Sequence, residues 1–121
     1  METLCKIRDV YRAIAEFEVQ FVQKYDLSLN EGMLLCTLLE APKLTSGEIA
    51  ETLGLSASNT SKVICSVEKK KLIVRIVGKE DKPQMRFSLT AEGRRRIADI
   101  KNATFSLSDL LQQVVNLVNK Q

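Results

Sequence analysis

Residues 45–93, TSGEIAETLGLSASNTSKVICSVEKKKLIVRIVGKEDKPQMRFSLTAEG, constrain this fold more than any other stretch, because the apolar period changes within them. Up to about Lys71 apolar side chains recur every three or four positions, and from Leu72 onward they crowd or alternate as strands do. Thr45 and Glu48 form an S/T-x-x-E capping box that opens a helix. Gly54 can take the left-handed backbone that closes this helix in a tight turn. Ala50, four residues earlier, is small enough for two helices to cross closely. Ser56 is a natural N-cap for the next helix, running to about Lys71. Leu72–Val77 and Met85–Leu89 then read as strands rich in β-branched and aromatic residues. The polar stretch Gly78–Gln84 joins them into an antiparallel hairpin with a charged tip.

The flanks are helical. From Glu2 to about Tyr25, Leu4, Ile7, Val10, Tyr11, Ile14, Phe17, Phe21 and Val22 form one stripe of a long amphipathic helix. Ser28 and Glu31 fit a second capping box, opening a helix through Met33, Leu34, Leu35, Leu38 and Leu39 that Pro42 stops. Thr90 caps a final helix from Ala91 to near the C-terminus. Its stripe is Ile97, Ile100, Leu107, Leu110, Leu111, Val114, Val115 and Val118, with Ser106 and Ser108 as points where it kinks or restarts. The order of elements is that of a winged helix-turn-helix, mainly α with a small antiparallel β-hairpin and long terminal helices. The 121 residues are enough for one domain, with 29–93 as its reading core. Residues 1–25 and 97–121 carry stripes that suit either intramolecular core or a dimer interface.

In a helix-turn-helix the second helix enters the major groove of DNA. Placing residues 58–69 at 100° per residue puts Thr60, Val63, Ile64 and Val67 on a core side. Ser58, Lys62, Cys65 and Lys69 point the other way, flanked by Asn59, Ser61 and Ser66. Glu68, the one acid, lies at the edge toward the core. Short polar side chains permit close approach to a groove, Asn can pair bidentately with adenine, and Lys reaches guanine or phosphate. Charge agrees: residues 56–96 hold 11 Lys/Arg against 4 Asp/Glu, a net +7, while the other 80 residues hold 7 against 11, a net −4. Such a patch is the footprint of phosphate binding, the plain alternative being a solvated surface. The candidate DNA contacts are Ser56, Ser58, Asn59, Ser61, Lys62, Ser66, Lys69, Arg75, Lys79, Lys82 and Arg86. A winged helix that binds only an acidic protein partner is the competing reading.

Other classes are disfavoured. The chain has no histidine, hence no His-based triad or His-ligated zinc, and no phosphate-cradling glycine loop. An enzyme is not expected, nor a cofactor. Cys5, Cys36 and Cys65, an odd count at wide spacing, read as free thiols in a reducing compartment. Cys5 and Cys65 are candidate redox positions, Cys65 because oxidation on the DNA face would add bulk and charge; the competing role is small apolar filler. No stretch approaches the roughly 18 apolar residues of a membrane span, and METLCKIRDV lacks an apolar signal core. The expected location is the cytoplasm.

Over about Leu29 to Arg96 the chain resembles the MarR family of bacterial transcription regulators. The residues that carry the likeness are Leu44-Thr45 through Ala50, Leu53-Gly54-Leu55-Ser56, Val67-Glu68-Lys69-Lys70 into Leu72-Ile73, and Ser88-Leu89-Thr90-Ala91-Glu92-Gly93. The resemblance implies a homodimer on a pseudopalindromic operator, usually a repressor, with the terminal helices forming the dimer interface and the wings reaching flanking minor grooves. It also implies a small-molecule effector in many members, although no residue here identifies one. Two departures stand out. The family's Asp-x-Arg at the wing tip becomes Asp81, Lys82, Pro83, and Lys71 replaces the glycine usual before Leu72.

Overall fold

A computed structural model describes residues 2–79 and 84–119, which fall into two compact units. The first comprises residues 1–28 and 104–121. It contains helix α1 (Glu2–Tyr25) and, after a further helix numbered below, α6 (Asp109–Asn119). Within this unit Phe105 is ringed by Phe17, Phe21 and Tyr25, its centroid 5.3 Å from that of Phe17 in a T-shaped contact. Edge-to-face geometry places the positive ring edge on the negative face of its neighbour. Ala13, Phe21 and Leu111 are buried. Much of the α1 stripe is not: Leu4, Ile7, Tyr11, Ile14 and Val22 remain exposed, as do Leu110, Val115, Leu117 and Val118 of α6.

The second unit, residues 29–103, holds α2 (Leu29–Glu40), β1 (Leu44–Thr45), α3 (Ser46–Leu53), α4 (Ala57–Lys69), β2 (Ile73–Val77), β3 (Met85–Leu89) and α5 (Ala91–Asn102). Its core gathers Leu34, Leu35 and Leu38 of α2, Ile49 of α3, Ile64 and Val67 of α4, Leu72, Ile73, Phe87, Leu89, Ile97 and Ile100. Burying a branched aliphatic side chain stabilises by about 1.5–3 kcal/mol, so these positions dominate the packing. No described helix is long and apolar enough to cross a membrane.

Two expectations need correction. The sheet has three strands, not two, in the order β1-β3-β2, with Leu44 opposite Phe87 and Ile73 opposite Leu89. The final helix is also two. α5 ends when Ala103 turns extended (φ −77°, ψ 148°), and α6 starts anew with the Ser108 hydroxyl accepting the Leu111 N–H at 3.3 Å. The restart at Ser108 therefore separates residues 97–102, in the second unit, from the α6 stripe.

Both turns around the second helix end in one way. After α3, Gly54 is left-handed (φ 68°) and Leu55 N–H donates to the Ala50 carbonyl at 3.0 Å. After α4, Lys71 is left-handed (φ 62°), with its own N–H on Glu68 O at 2.9 Å and Leu72 N–H on Val67 O at 3.3 Å. These paired bonds satisfy the carbonyls a helix end leaves open. The departure from glycine at Lys71 thus falls on a backbone that favours glycine.

Candidate nucleic-acid interface

The helix-turn-helix is set by local caps. Thr45 Oγ1 accepts the Glu48 N–H at 3.2 Å while Glu48 Oε1 accepts the Thr45 N–H at 2.9 Å, a reciprocal capping box. Ser56 Oγ accepts the Asn59 N–H at 3.1 Å and opens α4. The Thr60 hydroxyl donates to the Ser56 carbonyl at 2.8 Å, which lets a buried polar side chain lie on the core face without an unmet donor.

From that start α4 separates its faces much as its periodicity requires. Thr60, Ile64 and Val67 are buried and Val63 is half-buried. Ser56, Ser58, Asn59, Ser61, Lys62, Cys65 and Lys69 are exposed. The Asn59 backbone serves the cap, and its exposed side chain lies beside the lysine of the next turn. No carboxylate stands on this outward face.

Three other candidates sit differently. Ser66 is half-buried and donates to Glu31 Oε2 of α2 at 2.8 Å, and Lys70 Nζ lies 3.2 Å from Glu31 Oε1. Arg75 of β2 makes a two-point contact with Glu68, Nε to Oε2 at 2.7 Å and Nη2 to Oε1 at 2.8 Å. Its guanidinium also lies 5.6 Å from the Phe87 ring centre. Arg86 of β3 donates to the Lys43 carbonyl at 2.9 Å and to Glu48 Oε1 at 3.3 Å. These contacts tie the hairpin to α4 and to α3. Lys79 is exposed beside the hairpin tip, while Lys82, with Asp81 and Pro83, lies outside the described residues.

The carboxylates respond as their donors dictate. Glu48 is held below the ordinary 4.5 by the Thr45 backbone N–H first, then the Thr45 hydroxyl and Arg86. Glu68 is lowered chiefly by the hydrogen bonds from Arg75, which in turn is raised by Glu68. Bidentate arginine–carboxylate geometry is the strong form of such pairing. Sequence reading found the caps and the outward face but not these braces. Glu48 was legible only as a cap, and Glu31 only as the partner of Ser28.

Cys5 and Cys65 are exposed, and Cys36 is half-buried with its Sγ 3.9 Å from Glu40 Oε1. Cys5 lies in the first unit and Cys65 in the second.

The MarR family matches residues 25–82. The fold is similar to that of MepR, a transcription regulator of the Staphylococcus aureus multidrug efflux pump MepA, at 20% identity and a TM-score of 0.66, covering all of this chain and 84% of that one. It is also similar to the S. aureus MepR–DNA complex, at 21% identity and a TM-score of 0.71 over 94% of this chain and 90% of that one. A ZitR variant from Lactococcus lactis is similar at 22% identity and a TM-score of 0.60, over 78% of this chain and 62% of that one. No curated protein sequence matches the chain.

Proposed function

Residues 25–82 belong to the MarR family, and from that premise we propose that this protein is a sequence-specific DNA-binding transcriptional regulator. In this reading it is a homodimeric repressor of a pseudopalindromic operator, released by a small-molecule effector. The observation that carries DNA reading is the outward face of α4: Ser58, Asn59, Ser61, Lys62 and Lys69 exposed together, short or cationic, with no acid among them. A helix face of that kind approaches a major groove closely, Asn59 offering a bidentate pair to adenine and Lys62 a donor to guanine or phosphate. The fold shared with MepR, which has been solved on DNA, supports the same orientation. Repression and effector release rest on the family resemblance.

The dimer has separate support in the first unit. Leu4, Ile7 and Tyr11 of α1 are 56%, 47% and 71% exposed, and Leu117 and Val118 of α6 62% and 65%. A run of large apolar side chains in water is a surface that gains by being covered. A second copy related by a two-fold axis would cover it and would present two α4 helices to a two-fold operator.

Selection of bound sequences from a random duplex library tests the reading. An enriched inverted repeat with half-sites about one helical turn apart is expected; binding without enrichment would overturn it. On the selected site, Asn59→Ala and Lys62→Ala should each cost about 1–3 kcal/mol, Asn59→Ala chiefly by relaxing base preference.

A further inference from the structure

We propose that Glu31 is a positioning residue: it sets the rotation of α4 about its own axis, and through that the base preference of the outward face. The inference rests on the DNA-reading function proposed above. Glu31 sits on α2 and is only 6% exposed. Its Oε2 accepts from the Ser66 hydroxyl at 2.8 Å, and Lys70 Nζ lies 3.2 Å from Oε1 and 3.1 Å from Oε2. Ser66 and Lys70 are four residues apart, so they stand on one side of α4, one turn above the other. One buried carboxylate therefore grips the helix at two heights.

α2 is a firm anchor for that grip, because Leu34, Leu35 and Leu38 are almost wholly buried. The apolar contacts of Ile64 and Val67 hold α4 in the unit, but burial has no direction and tolerates small rotations. Hydrogen bonds do have direction and weaken steeply as they bend. A buried ion pair adds little net stability over apolar residues of similar volume, so the distinct contribution of this cluster is orientation. The leverage is large. Side-chain atoms ride about 5–6 Å from a helix axis, so a turn of about 10° carries Asn59 and Lys62 roughly 1 Å sideways. A two-point base contact does not survive such a displacement, since the donor–acceptor window is itself only about 0.5 Å wide. Ser66 belongs to this anchor: its hydroxyl is engaged inward, and its effect on DNA runs through Glu31.

The test is the ratio of operator to scrambled-duplex affinity for full-length protein carrying Glu31→Leu, Glu31→Gln, Ser66→Ala or both Ser66→Ala and Glu31→Leu. A thermal melt of each variant establishes that it is folded at the assay temperature. Glu31→Leu should lower the ratio about 10-fold, the value of one good base contact, while affinity for scrambled DNA is kept. Glu31→Gln, which retains an acceptor for Ser66, should retain more of the ratio. The Ser66→Ala and Glu31→Leu losses should not add, because both act through one contact. A folded Glu31→Leu protein with the wild-type ratio overturns the inference. So do additive losses, which would mean Ser66 meets the DNA itself. Wild-type protein that fails to discriminate at all overturns the DNA reading, and the inference with it.

Discussion

Replacing Lys71 with glycine should stabilise this protein, although it deletes a whole side chain. Lys71 follows the last turn of α4 with φ 62°, where Cβ crowds the backbone at a cost of about 1–2 kcal/mol for an L-residue. The position is imposed: Lys71 N–H must reach Glu68 O and Leu72 N–H must reach Val67 O, so that Leu72 and Val67 can both be buried. Glycine removes the crowding but adds unfolded-chain freedom worth about 0.5–1 kcal/mol. The net expectation is a gain of about 0.5–1 kcal/mol. For 121 residues the unfolding entropy is about 0.25 kcal/mol/K, which converts that gain to a rise of about 2–4 °C in Tm.

Gly54 supplies the mirror experiment. It has the same conformation (φ 68°), and a Cβ built there meets nothing within 4 Å, so Gly54→Ala isolates the backbone cost. It should lower Tm by a similar 2–4 °C. Thermal unfolding followed by far-UV circular dichroism, at one protein concentration because oligomers melt by mass action, reads both. A Lys71→Gly protein that melts at or below wild type, beside a destabilised Gly54→Ala, would refute the reasoning and assign the lysine stem a packing role that outweighs its strain.

Three further outcomes are expected. Gly93→Ala places a Cβ 2.1 Å from the Leu72 carbonyl oxygen, a backbone atom that cannot swing away; a loss of about 2 kcal/mol or more in denaturant unfolding should follow, and a wild-type midpoint would contradict the close approach of α5 to the α4–β2 turn. Glu48 and Glu68 titrate below their ordinary 4.5 when folded, so their contribution is present above that pH and lost as pH falls through the lower folded values. Glu68→Gln should flatten this part of the acid-unfolding profile, and a profile parallel to wild type would remove Glu68 from the account. Ile7→Glu on the exposed α1 stripe should shift the protein from dimer to monomer in sedimentation; a dimer as tight as wild type would place the interface elsewhere.

What the sequence made legible was local. The Thr45–Glu48 box, the Ser56 cap and the left-handed Gly54 each depend on residues within four positions, and the burial of Thr60, Ile64 and Val67 follows from helical period. β1 was hidden because two residues, Leu44 and Thr45, have no period to detect. The break between α5 and α6 was hidden because Ala103–Ser108 contains neither glycine nor proline. Ile100 and Leu107, seven residues apart, also continue one apparent stripe across it. The braces were hidden for another reason: Glu31 meets Ser66 across 35 positions and Glu48 meets Arg86 across 38, and no spacing rule links such partners.

Those long-range pairs change what the basic segment means. Of its eleven cations, Lys70, Arg75, Arg86 and Arg95 face the carboxylates of Glu31, Glu68, Glu48 and Glu92. Glu31 and Glu48 lie outside the segment, so its net +7 overstates the field that DNA would meet. Among the described residues no ion pair holds Lys62 or Lys69, and both are exposed on the face that carries Asn59. Positive charge is thereby moved off the hairpin strands and onto the reading helix. Salt dependence can tell the two distributions apart. If Lys62, Lys69 and Lys79 of each protomer bind phosphates, a dimer releases about six counterions and log affinity falls against log salt with a slope of about −5. If Arg75 and Arg86 leave their carboxylates to join them, the count rises to about ten and the slope to about −9. The shallower slope is expected, because each arginine would have to break charge-assisted hydrogen bonds, two of them at 2.7 and 2.8 Å for Arg75, to gain a phosphate in their place. A steep slope that Arg75→Gln and Arg86→Gln each reduce would show that the braces open on DNA.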